Sequence, residues 1–162
     1  MTMFIVPETS EAEADILKEK RNPQNFPKNI AFPFPEQYKN LVMPIRTIEI
    51  SSETILYNTV EAVSENKESK WKDYWCFAGN GQGDRWFLNK ENSVLFYDHD
   101  APDDLQPMKI SFGQWLQMAY IIRLLDNYYD EYEIIPEPVQ HGFYKALNSI
   151  SAGLGERYPF IE

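Results

Sequence analysis

The sequence predicts a single α+β domain, a mostly antiparallel central sheet with helices packed against it. Three observations lead there. Short runs rich in Trp, Phe, Tyr and Val, at 75–78, 85–88 and 94–97, are divided by Gly79-Asn80-Gly81-Gln82-Gly83 and by Asn89-Lys90-Glu91-Asn92, the pattern of a strand meander. Segments on either side carry apolar residues at helical spacing behind capping residues. At 162 residues, the chain can bury a substantial core without disulfides or metals.

Each element has its own local cause. Ser10 with Glu13 fits a capping box that opens a peripheral helix running to Asn22, with a thin apolar stripe at Ala12, Ile16 and Leu17. Prolines at 23, 27, 33 and 35 remove backbone donors and predict an extended connection. Pro35 suits the entry of a short helix over Glu36 to Val42, which Pro44 stops, and Ile45 to Ile50 is the expected first strand. Ser52 is expected to cap a second helix, because Leu56, Thr59, Val60 and Val63 share one helical face. Beyond the meander, Ser111 with Gln114 forms another capping box, before a helix over 112–125 that is apolar on nearly every side. The acidic, tyrosine-rich run Asp126 to Glu133 follows. After Pro136 and Pro138, Val139, Phe143, Leu147 and Ile150 mark a last amphipathic helix, which Gly153 and Gly155 end. The expected organisation is a peripheral helix and connection over 1–29, an α+β core over 30–125, and a C-terminal helical extension over 126–162 that packs on the core.

Composition narrows the function. Fifteen Lys plus Arg against 25 Asp plus Glu give a net charge of −10, which repels a phosphate backbone and excludes nucleic acid as the expected partner. A basic protein suits the acidic field better. A single cysteine, Cys76, cannot form an internal disulfide and points to a reducing cytoplasm. The N-terminal residues lack a basic stretch followed by a long apolar core, so no signal peptide is expected. No apolar run approaches the roughly 20 residues that a membrane-spanning helix needs. Composition does not speak to oligomeric state.

Chemistry-bearing patterns are sparse. Gly79 to Asp84 lacks the Gly-Lys-Ser/Thr ending of a phosphate loop and leads into a strand, so it reads as a hairpin turn with glycines at positive φ. Asn80 and Gln82 are then placed to touch a partner. Asp98-His99-Asp100 alternates faces in an extended chain, and His141 lies far away, so the aspartates are expected to bond nearby backbone N–H groups. A metal-dependent enzyme centred there lacks a third ligand and a general base. Cys76 sits in an aromatic strand without an adjacent base, and no serine occupies a G-x-S-x-G elbow. No catalytic residue, metal or cofactor is therefore expected. The candidate partner contacts are Trp75, Asn80, Gln82, Asp84, Trp86, Asp98 and His99. Asp126, Tyr129 and Asp130 form a second patch, open equally to a solvated face and to a binding surface in which tyrosines supply rigid amphipathic area.

Four ordered segments resemble the SUKH superfamily, which includes fungal cell-wall assembly (glucan synthesis) regulators and many bacterial immunity proteins. Phe34-Pro35-Glu36-Gln37-Tyr38-Lys39-Asn40-Leu41 is similar to the family's proline-led helix, and Trp75-Cys76-Phe77-Ala78-Gly79-Asn80-Gly81-Gln82-Gly83-Asp84 to its "FAxxGxGD" core. Val94-Leu95-Phe96-Tyr97-Asp98-His99-Asp100 resembles the "VYxxDHE" strand end, and Ser111-Phe112-Gly113-Gln114-Trp115-Leu116 the closing "SFxEFL" helix. The likeness spans about residues 30 to 125. It departs at Val42-Met43-Pro44, where family members commonly carry an Asn-Gly-Gly loop, and the chain after Asp126 lies outside it. The resemblance implies an α+β domain with a non-enzymatic role in binding another protein. An immunity protein that neutralises a toxin, many of which are nucleases, is the first expectation, and an intracellular scaffold or regulator is the alternative.

Overall fold

Strand formation at the meander follows from its alternation of bulky side chains and turn residues. A computed structural model describes residues 3–18 and 23–160. These build α1 (Thr9–Leu17), α2 (Glu36–Val42), β1 (Ile48–Ser51), β2 (Thr54–Leu56), α3 (Thr59–Glu68), β3 (Trp75–Gly79), β4 (Arg85–Leu88), β5 (Val94–Tyr97), β6 (Gln106–Pro107), α4 (Phe112–Tyr132), α5 (Glu137–Ile150) and α6 (Leu154–Arg157). The strands form one six-stranded sheet in chain order, and every neighbouring pair is antiparallel. The predicted α+β class is the observed one.

The largest departure concerns the helix expected from Ser52. That residue occupies the tight β1–β2 turn, and Leu56 lies in β2, paired with Ala78 of β3. Helix α3 starts later, capped by Asn58, whose side chain accepts from the Glu61 N–H at 3.0 Å. A helix from Ser52 would leave the β3 edge without a partner, so strand pairing overrides the helical spacing. Val60 accordingly points to solvent, whereas Leu56 and Ala62 are buried. The first strand covers 48–51 instead of 45–50, with Ile45 buried ahead of it.

Helix α1 opens at a Glu8–Glu11 capping box, not at Ser10 with Glu13. The predicted helix end at Asn22 lies outside the described residues. Its apolar stripe is not peripheral: Ala12 and Ile16 are buried, and Asp15 accepts from the Tyr120 hydroxyl at 2.7 Å and pairs with Arg123 at 3.3 Å, both on α4.

Helix α4 has the predicted Ser111–Gln114 box and lies on one face of the sheet. Its Trp115 ring sits 4.8 Å from Phe77 and 6.1 Å from Trp86, and Phe112 stands 5.5 Å from Phe77. Buried aromatics of this kind each contribute about 2–3 kcal/mol through the area they remove from water. The helix runs 21 residues, straight across the boundary expected at 125/126. It stops where Glu133 adopts a left-handed conformation (φ 60°), shortly before Pro136. Phe143 on α5 meets Phe4 and Tyr158, and Phe160 packs on Phe96, so the C-terminal elements complete the cover. Gly153 (φ 82°) starts α6 and Gly155 lies inside it, so the pair does not simply end α5.

Candidate partner-binding surface

The β3–β4 turn is organised by one amide. Asn80 Oδ1 accepts from the N–H groups of Gln82 and Asp84 at 3.0 and 3.1 Å, while its Nδ2 donates to Asp84 Oδ2 at 2.9 Å and to Glu53 Oε1 at 3.2 Å. Only Gly83 of the turn glycines takes a positive φ (97°). Gly79 is required for a different reason, since a Cβ there would collide with the Tyr57 hydroxyl. Asp84 Oδ1 in turn accepts from the His99 backbone N–H at 3.0 Å and lies 2.6 Å from His99 Nδ1, stitching the turn to the end of β5.

Electrostatics follow from those bonds. Burial pushes the Asp84 carboxyl up, but hydrogen bonds from the His99 N–H, the Asn80 amide and the His99 ring outweigh it and hold the group below the usual carboxylate range. The hydrogen bond to Asp84, joined by the charges of Asp100, Asp84 and Asp98, raises the His99 imidazole above its ordinary value.

Four of the seven meander residues expected to touch a partner are therefore turned inward. Trp75 is buried, with its indole N–H donating to the Tyr38 hydroxyl at 2.8 Å and its ring among Phe26, Phe32 and Phe34 of the proline-rich connection. Trp86 is buried under Trp115 and spends its N–H on the Glu53 carbonyl at 2.9 Å. Asn80 and Asp84 are buried and committed to the turn. The physical reason is that both sheet faces are covered, so alternation along these strands offers no outward aromatic row. Gln82, Asp98 and His99 remain exposed.

Asp84 also supplies what the Asp98-His99-Asp100 spacing lacked. Ligand atoms of Asp84, Asp98 and His99 lie within 4.8 Å of one another, the geometry of a possible metal trio. Asp84 already bonds the Asn80 amide and both the backbone N–H and the ring of His99, and Asp98 Oδ1 accepts from the Asp100 N–H at 2.8 Å, so these groups read as a hydrogen-bonded turn. Cys76 is buried, and burial pushes its thiol far above the range of a reactive thiolate.

The second patch behaves differently. Tyr129, Tyr132 and Ile134 are 54%, 53% and 65% exposed, so half of the six exposed large hydrophobics among the described residues gather within six positions at the α4–α5 tip. Asp130, Glu131 and Glu133 stand in solvent among them. Asp126 is instead a clip, accepting from the backbone N–H and the hydroxyl of Ser52, each at 2.8 Å, which fixes the β1–β2 turn to α4. Between that turn and the tip lies a cleft of about 580 Å³ lined by Glu49, Ser52, Glu53, Asp126, Tyr129 and Asp130, with the buried Ile50 and Leu125 also in its lining. Glu49, Ser52 and Glu53 were not legible as site residues, because no spacing in the chain links the 49–53 turn to residue 126.

No helix among the described residues is long and apolar enough to cross a membrane. No protein-family model, curated protein or solved structure matches this chain.

Proposed function

We propose that this protein is a non-enzymatic protein-binding module that works by covering a partner's surface. The observation that carries this reading is the gathering of Tyr129, Tyr132 and Ile134 in solvent beside Asp130, Glu131 and Glu133. Contiguous exposed apolar side chains rimmed by polar ones are the composition of an interface, and tyrosine supplies contact area at small entropic cost. The net charge of −10 adds a field that favours a basic partner and speeds its encounter.

The SUKH resemblance sharpens the reading to an immunity protein acting in the cytoplasm, in which the partner is a toxin domain such as a basic nuclease. Neutralisation then needs only steric and electrostatic blockade. The test is inhibition of a toxin domain encoded beside this gene. One equivalent of this protein should abolish the toxin's activity, the complex should weaken as salt rises, and Tyr129→Ala combined with Ile134→Ser should restore the activity. A complex that leaves the partner fully active would favour the scaffold alternative, and association indifferent to salt and to both substitutions would remove this surface from the interface.

A further inference from the structure

The sequence holds one Asn-Gly pair, Asn80-Gly81, and it lies in the β3–β4 turn. Asparagine before glycine is the pair most prone to lose its side-chain amide, because no Cβ shields the following backbone nitrogen from the amide carbon. In that reaction the Gly81 nitrogen bonds Asn80 Cγ, the Cγ–Nδ2 bond breaks, and the Gly81 amide proton departs with Nδ2 as ammonia. Water then opens the cyclic imide to aspartate or isoaspartate. The turn itself does not require glycine at 81, since its φ is not positive and a Cβ built there meets nothing within 4 Å. The Asn80 amide beside it is tightly held. It is buried, its carbonyl oxygen accepts from the N–H groups of Gln82 and Asp84, and its Nδ2 donates to the carboxylates of Asp84 at 2.9 Å and Glu53 at 3.2 Å.

We propose that Asn80-Gly81 is a self-modification site gated by the fold: the amide survives while the turn is closed, deamidates when the turn opens, and the turn then no longer closes at neutral pH. Closure protects in two ways. Bringing Cγ onto the Gly81 nitrogen breaks the bonds that fix the amide, and ammonia leaves only after Nδ2 gains a proton, whereas both groups beside Nδ2 are acceptors. The product is excluded for the same reason. An aspartate at 80 sets a third carboxylate where one donor had joined two, and like charges at that separation repel in a buried turn. Isoaspartate adds a backbone atom between residues 80 and 81, which displaces the Asn80 N–H from the Asp84 carbonyl that it meets at 3.3 Å. The site therefore limits the protein's working life by its accumulated time in the open state, whatever partner it binds.

Peptide mapping by mass spectrometry tests the site on the full chain, aged at neutral pH in native buffer and in guanidinium chloride. Conversion at Asn80 should be about tenfold or more slower in the native protein, since the turn must first open. Protein aged in denaturant and returned to buffer should fail to refold in proportion to its converted fraction. Gly81→Ala, whose Cβ enters open space, should suppress the conversion, keep the wild-type melting temperature and refold fully after the same ageing. Asn80→Asp should melt below wild type at neutral pH, the gap narrowing as pH falls and the new carboxyl takes up a proton. If that variant does not fold, the ageing series on wild type and Gly81→Ala still decides. Conversion as fast in the native protein as in denaturant, refolding losses unchanged by Gly81→Ala, or an Asn80→Asp variant as stable as wild type would each overturn the proposal.

Discussion

The β3–β4 turn and the α4–α5 tip are both dense in acids, amides and aromatics, yet they use them in opposite ways. In the turn, Asn80 and Asp84 satisfy one another and their neighbours, and Trp75 and Trp86, on the two strands it joins, are buried. At the tip, two tyrosines and an isoleucine face water beside acids. The difference teaches that composition marks where side chains are valuable without saying whether the value is internal or external. A polar group closed by its own fold stabilises the fold, whereas an open one is free to meet something else.

Substitution should split the two regions cleanly. Trp86→Ala removes a fully buried ring from between the sheet and α4, and should lower unfolding free energy by about 3–5 kcal/mol in denaturant titration. Survival of that variant with wild-type stability would dissolve the distinction. Asn80→Ala should cost about 1–3 kcal/mol, because the N–H groups of Gln82 and Asp84 lose their acceptor inside a closed turn. Asp126→Ala should cost about 1 kcal/mol by releasing the β1–β2 turn from α4, a smaller loss because the Ser52 side of the clip is exposed.

The Asp84–His99 pair adds a pH signature. Asp84 is held below its ordinary 3.8, so its share of stability is complete above that value and disappears as pH falls through the lower folded-state value. His99 is raised above 6.5, so its share is complete below 6.5 and disappears as pH rises through the higher folded-state value. Melting temperatures of wild type and His99→Gln should therefore differ most between those two values, and converge toward either side. A difference that grows above neutral pH would contradict the assigned protonation. The smallest stability effect belongs to the tip: Tyr129→Ala should change unfolding free energy by less than about 0.5 kcal/mol, while weakening partner binding measured by calorimetry.

Much of the fold was legible before the structure. The three aromatic runs, the Glu36–Val42 helix and the Ser111–Gln114 box all rest on local causes, and they stand where those causes place them. The Ser52 helix failed because its spacing competed with a strand partner 22 or more positions away, a term that no window of the chain contains. The candidate contacts divided for a similar reason. Trp75 and Trp86 carry the composition of an interface, but the proline-rich connection covers one and α4 the other.

Local periodicity, caps and turn residues by themselves determined the antiparallel meander, the Glu36–Val42 helix and the start of α4, because each depends on neighbours within a few residues, and composition alone set the acidic field. Tertiary structure alone decided which aromatics face water, that Asp84 reaches His99, and that Glu49 and Asp130 share one cleft. Exposure and proximity are properties of packed layers: a strand has two faces, and only the elements laid against it settle whether either one remains open.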